Sequence, residues 1–186
     1  MTDPLPSTTV VQGEVVVSDD PSALLMTLLG SCVSVCMFDP VARLGGMNHF
    51  LLPGGGERED EGALRFGANA MEKLVNGILK AGGKRDRLRC KAFGGAAIVP
   101  SLGRIGQENS LFVMHYLADE GIPCIARSLG GTQARRVRFW PVSGKAQQSL
   151  IQDDQAIVRQ EEAYSRQETE AERQWAREAG SGVELF

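Results

Sequence analysis

The stretch from Ala23 to Phe38 constrains this chain more than any other. Ala23-Leu24-Leu25-Met26-Thr27-Leu28-Leu29 is apolar and runs straight into Gly30-Ser31, beyond which Val33-Ser34-Val35-Cys36-Met37-Phe38 has the β-branched and aromatic content of a strand. Gly30 breaks one extended segment from the next, because glycine tolerates backbone angles that a residue with a Cβ resists. Small neighbours there also leave room for another molecule to approach the backbone. Cys32 then opens the second strand, with the N–H groups of Ser31 and Cys32 available to an oxygen held beside the sulfur.

A second strand pattern, Leu44-Gly45-Gly46-Met47-Asn48-His49-Phe50-Leu51-Leu52, follows the turn at Asp39-Pro40 and carries one of only two histidines. If the two strands are antiparallel neighbours, Cys32 and His49 meet. A thiol is only partly ionised at neutral pH, and a nearby imidazole stabilises its anion and can return the proton to a leaving group. The pair therefore reads as nucleophile and base for acyl transfer, or as two buried structural residues.

Around this centre the pattern is mixed α and β. Thr9 to Val17, the segments at Cys32 and His49, Arg89 to Val99, Pro123 to Ser128 and Arg136 to Val142 read as strands. One helix is expected from Ala68, Met71, Leu74, Val75, Ile78 and Leu79, ending near Ala81-Gly82-Gly83. A second, Asn109 to Glu120, should face the core with Leu111, Met114 and Leu117 and stop at Gly121-Ile122-Pro123. At 186 residues and 42% hydrophobic content, the chain suits one domain, residues 1–150, with an appendage at 151–186.

Several function classes fall away. No apolar run approaches the roughly 20 residues needed to cross a bilayer. Met1 to Gly13 lacks the basic region and apolar block of a signal peptide, so a cytoplasmic location without membrane insertion is expected. Cys32, Cys36, Cys90 and Cys124 then read as thiols. No metal is expected: Cys32 and Cys36 on one strand would stand about 13 Å apart, and there is no Cys-x-x-Cys pair. Phe93-Gly94-Gly95-Ala96 and Gly130-Gly131 lack the phosphate-loop lysine, so no nucleotide cofactor is indicated; close backbone packing explains the first of them. Pro53-Gly54-Gly55-Gly56-Glu57 reads as a mobile rim loop, and His115 as packing or surface.

Charge divides the chain. Residues 151–186 hold nine acids against four arginines, leaving sixteen bases against fourteen acids in 1–150. The tail lacks Gly and Pro from 151 to 179 and reads as a solvated helix, Gly180-Ser181-Gly182 releasing a flexible end. Lys80, Lys84, Arg85, Arg87, Arg89 and Lys91 form a basic group that could dock an acidic face. The overall charge of −3 and few aromatics argue against nucleic acid.

The blocks LGSCVSVCMFDP, GGMNHFLLP, KAFGGAAIV, IGQENSLFVMHYLADEGIP and SLGGTQARRVRF stand in the order and approximate spacing of one family. Through them the chain resembles the chemoreceptor glutamine deamidases of bacterial chemotaxis, CheD, over about residues 10 to 145. The resemblance implies a sandwich-like mixed β-sheet core with flanking helices. It makes Cys32 the nucleophile and His49 the base, with a threonine before the cysteine as third member. Thr27 stands five residues before Cys32, where a family spacing of six would fall on Met26. Ser128 replaces a common aspartate, and Ala134-Arg135 a common Gly-Arg.

The implied activity is deamidation of glutamine side chains in methyl-accepting chemotaxis receptors, with hydrolysis of glutamyl methyl esters chemically open to the same acyl-enzyme. The implied partners are those receptors and the chemotaxis phosphatase CheC; a non-catalytic module acting through the phosphatase or a receptor is the alternative. The family reading also has Phe93-Gly94-Gly95-Ala96 shaping the active-site neighbourhood. Gln160-Glu161-Glu162-Ala163 in the tail is loosely similar to receptor modification sites, so the tail could compete for the active site.

Overall fold

The computed structural model describes residues 7–52, 60–100, 103–152, 155–159 and 161–163. In chain order these form β1 (Ser7–Thr9), β2 (Val15–Ser18), β3 (Leu24–Leu29), β4 (Val33–Asp39), β5 (Leu44–Asn48), α1 (Asp60–Lys80), β6 (Arg89–Gly94), α2 (Gly103–Asp119), β7 (Cys124–Leu129), β8 (Ala134–Trp140) and β9 (Lys145–Ile151). The expected rim loop at residues 53–57, and the tail from residue 164 onward, lie outside the described residues.

The strands make two mixed sheets, ordered β1-β3-β8-β9 and β2-β5-β4-β6-β7. β1 with β3 and β6 with β7 are parallel, and the other pairings antiparallel. The apolar run thus crosses from one sheet to the other at Gly30-Ser31-Cys32. β4 is buried on every residue, and its period-2 alternation explains why. Val33, Val35 and Met37 join a core with Met71, Leu74, Val75 and Ile78 of α1 and Val113 and Leu117 of α2. Cys36 and Phe38 point the other way, into a second core with Leu25 and Leu29 of β3, Met47 of β5 and Val137 and Phe139 of β8. The result is a three-layer α/β arrangement, helices on one face of the five-stranded sheet and the four-stranded sheet on the other. Each fully buried aliphatic side chain in these layers contributes about 2 kcal/mol.

Several expectations need correction: the strand expected from Arg89 to Val99 ends at Gly94, and the second helix begins at Gly103, not Asn109. The run Thr9 to Val17 is two strands, β1 and β2, in different sheets, because the chain turns at Gly13, whose φ is +89°. The stretch Lys145–Ile151 is an edge strand that no alternation announces: its sequence KAQQSLI is mostly polar and mostly exposed. On α2 the inward stripe is Gly106, Asn109, Val113 and Leu117, while Leu111 is exposed and Met114 half-buried. A polar residue, Asn109, holds a place in the apolar stripe, and that rotates the face.

The basic group after α1 is largely tied into the fold. Asp39, fully buried at the end of β4, accepts hydrogen bonds from the N–H groups of Val41, Ala42 and Lys84 and a forked pair from Arg87. Arg85 pairs with Glu120, and Lys91 Nζ donates to Gly144 O. Burial alone would raise the Asp39 carboxyl, but these donors together outweigh it and hold it at about 2. Asp39→Ala leaves Arg87 and three backbone N–H groups without their acceptor and is expected to cost about 3 kcal/mol in urea unfolding. Since the folded value lies below the unfolded one, wild-type stability from this group should persist above about pH 4 and fade as pH drops toward 2. A variant unfolding at the wild-type midpoint would refute this.

Candidate active site

The register of β4 against β5 pairs Cys36 with Met47, and the isolated bridge of Val33 with Phe50 continues the same register beyond β5. Both Val33 N–H to Phe50 O and Phe50 N–H to Val33 O measure 3.0 Å. Val33 and Phe50 face the helices, so the flanking Cys32 and His49 fall on the opposite face as diagonal neighbours. That face looks toward the four-stranded sheet.

From that sheet Thr27 approaches His49. On β3, Leu25, Thr27 and Leu29 are buried and point inward, whereas Met26 and Leu28 are half-buried and point outward. Strand parity therefore presents Thr27, not Met26, to His49. The Thr27 Oγ1 to His49 Nδ1 distance is 2.9 Å. Thr27 Oγ1 also donates to Val10 O at 2.8 Å, and His49 Nδ1 lies 3.2 Å from the same carbonyl. A carbonyl only accepts, and the threonine proton is committed to it, so these contacts place the imidazole proton on Nδ1. Nε2 is left with its lone pair, buried and without a hydrogen-bond partner among the described residues. Burial pushes the imidazole below its ordinary value, against smaller opposing effects of the Val10 carbonyl and the Glu14 charge. The ring is thus a neutral base at neutral pH.

Cys32 is 7% exposed, and its Sγ lies 3.4 Å from Gln12 Oε1, to which it donates. All four cysteines are thiols. Cys36 shares the inward face but is completely buried, and burial pushes its thiol strongly up, which keeps it protonated and inert. His115 is exposed on α2.

The backbone of the turn is held from behind. Gly95 N–H donates to Cys32 O at 2.8 Å and Ala96 N–H to Gly30 O at 2.9 Å. Gly94 and Gly95 have φ of +112° and +65°, and a Cβ on Gly94 would run into the Cys32 carbonyl. The Gly-Gly pair therefore packs backbone on backbone and, by doing so, shapes the turn that carries Cys32. Arg135, buried, donates to Gly94 O at 3.0 Å and to Ser128 Oγ at 3.2 Å, so the serine hydroxyl receives the guanidinium there. Among the described residues no three His, Cys, Asp or Glu side chains converge to hold a metal ion, and no helix is long and apolar enough to cross a membrane.

Sequence reasoning missed three participants: the Val10 carbonyl, Gln12 and Asn109. Val10 carried no signal, since a backbone acceptor can come from any residue type, and Gln12 carried none because its side chain lies in a short connection between strands with no motif around it. Asn109 did carry one, as an asparagine on the same helical stripe as Val113 and Leu117. Its Nδ2 donates to Ser31 O at 3.0 Å, and its Oδ1 accepts from Leu52 N–H at 2.8 Å. One side chain thus joins the turn before Cys32 to the segment just after His49. Asn109→Ala would leave a buried carbonyl and a buried N–H unpaired, and should lower stability by about 2 kcal/mol. Thermal unfolding within a degree of wild type would contradict that.

A family model described as CheD chemotactic sensory transduction matches residues 51–149. A protein of Agrobacterium fabrum named probable chemoreceptor glutamine deamidase CheD is 52% identical over 139 residues, covering 75% of this chain and 77% of that protein. A protein of the same name from Caulobacter sp. strain K31 is 51% identical over 148 residues, covering 79% of each chain. Among solved structures, the Bacillus licheniformis hypothetical protein YfiH overlays with a TM-score of 0.40 at 18% identity, over 61% of this chain and 49% of that one.

Proposed function

The chain belongs to the CheD family, and on that premise we propose that it is a protein-glutamine glutaminase that converts glutamine side chains of chemotaxis receptors to glutamate, with Cys32 as nucleophile. The observation that supports the residue assignment is the contact of Thr27 and the Val10 carbonyl with His49 Nδ1, which leaves Nε2 as the basic nitrogen of a residue on the same sheet face as Cys32.

In the proposed reaction His49 Nε2 takes the proton from Cys32 Sγ, and the thiolate attacks the glutamine Cδ. The carbonyl electron pair moves to oxygen, where the N–H groups of Ser31 and Cys32 receive it. As the tetrahedral adduct collapses, the C–N bond breaks and His49 returns its proton to nitrogen, releasing ammonia. Water, deprotonated by His49, then attacks the thioester; the C–S bond breaks and leaves glutamate and the regenerated thiol. A glutamyl methyl ester would form the same acyl-enzyme with methanol as the leaving group, so ester hydrolysis belongs to the proposal.

The proposal places catalysis in residues 1–150 and a separate role in the tail at 151–186. It also places the protein in the cytoplasm, where the receptor's modified segments would meet it, and adds the phosphatase CheC as a binding partner. Peptide-level mass spectrometry of cytoplasmic receptor fragments incubated with the full chain tests the activity. A gain of about 1 Da at defined glutamines, with one ammonia released for each, is expected from the exchange of amide for acid. Folded protein that changes no glutamine in several cognate fragments would sink the enzyme reading in favour of a binding module.

A further inference from the structure

Among the described tail residues, 155–159 and 161–163 are helical, and only Ile157 and Glu161, one turn apart, are buried. Beside this segment lies a cavity of about 530 Å³, lined among others by Ile98, Thr132, Gln133, Val158 and Arg159. The segment therefore rests on a partly filled seat with Ile157 and Glu161 turned inward.

Glu161 reaches the nucleophile's own turn. Its Oε1 accepts from Ser31 N–H at 2.5 Å and from Ser31 Oγ at 3.0 Å. Its Oε2 is buried with no hydrogen-bond partner among the described residues. The carboxyl group lies over Gly30, where a Cβ would collide with it and with Ile98 Cδ1. A glycine thus leaves open the space the carboxyl fills, and two donors address one of its oxygens. Half of this buried carboxyl group is uncompensated, and burial pushes its pKa up against the two Ser31 bonds. An arrangement evolved only to anchor the tail gains nothing from that unsatisfied oxygen. The two Ser31 donors fit the carbonyl oxygen that glutamine and glutamate side chains share.

We propose that Gly30 and the N–H and Oγ–H of Ser31 form the subsite for a glutamyl side chain, and that Glu161 occupies it as an internal product analogue, holding the enzyme self-inhibited until substrate displaces the tail. This rests on the deamidase reading. Glu161 has the same side chain as the product, and it comes to the site on a helical segment, 130 residues away in sequence from Ser31.

The test uses the full chain as wild type, Glu161→Ala, and Ile157→Ser, which loosens the same segment without touching the subsite. Two readouts are taken: the rate at which iodoacetamide alkylates Cys32, located by peptide mass spectrometry, and the steady-state kinetics of receptor-fragment deamidation. A contact populated about 90% of the time suppresses access about tenfold. Both variants should therefore alkylate faster by about that factor and show a correspondingly lower KM with kcat little changed, as expected when a competitor is removed. Wild-type alkylation rates together with an unchanged or raised KM in folded variants would overturn the proposal and leave Glu161 as a packing residue. Faster alkylation with no deamidation by any of the three proteins would uphold the tail's occupancy of the turn and count against the deamidase reading instead.

Discussion

Cys32→Ala is expected to lower receptor-glutamine deamidation by about 10⁴-fold or more, to the background of uncatalysed hydrolysis. The size follows from what is removed. Without sulfur there is no acyl-enzyme, and the remaining groups can only hold the side chain and polarise its carbonyl. The change is small in volume at a residue that is nearly buried beside Gln12, so the fold should be retained, with unfolding within about 1 kcal/mol of wild type. Cys36 offers no rescue, because burial holds its thiol protonated. Ammonia release by the variant within tenfold of wild type would remove Cys32 from the mechanism.

The second large effect is at His49. His49→Ala should reduce kcat/KM by about 10² to 10⁴-fold, the range of a positioned proton-transfer group. In the wild-type protein, burial lowers the imidazole pKa, so its basic form persists below the ordinary value near 6.5. The acid limb of kcat/KM should accordingly fall below pH 6.5, activity being full above it and lost as pH drops through the lowered value. Stability shares the sign: the unfolded chain takes up a proton near pH 6.5 that the folded site resists, so the folded state weakens as pH falls below that point. An acid limb at or above pH 7 would contradict the neutral-imidazole assignment. Thr27→Val should cost only about tenfold, because the Val10 carbonyl still receives Nδ1 after the hydroxyl is gone.

Much of this site is legible in the amino-acid sequence. The Gly30-Ser31 break, the strands to either side and the segment at His49 all follow from local composition, and their antiparallel pairing needs only a short turn at Asp39-Pro40. The helix from Asp60 to Lys80 is legible because Met71, Leu74, Val75 and Ile78 recur at helical spacing and are all buried. Failures have equally local causes. Leu111 reads as inward because it is apolar, yet the stripe is set by Asn109, whose polar groups are consumed by Ser31 and Leu52. The strand Lys145–Ile151 is hidden because an exposed edge needs no apolar alternation.

Thr27 shows how the two kinds of information divide. Counting residues back from Cys32 leaves open whether Thr27 faces His49, whereas the alternation of β3 puts Thr27 on the inner face whatever the count. By itself the sequence determined most of the strand and helix segments, the turn that carries Cys32 and the residue types able to do acyl chemistry, because backbone preference and side-chain periodicity act within a few residues. Only the tertiary structure decided which groups answer one another: Val10 and Thr27 at His49, Asn109 behind Ser31, and Glu161 upon it, across separations of 17 to 130 residues. Those partners are selected by how two sheets and a helix stack. Burial makes an unpaired polar group costly, so the packed fold settles each pairing that the linear chain leaves open.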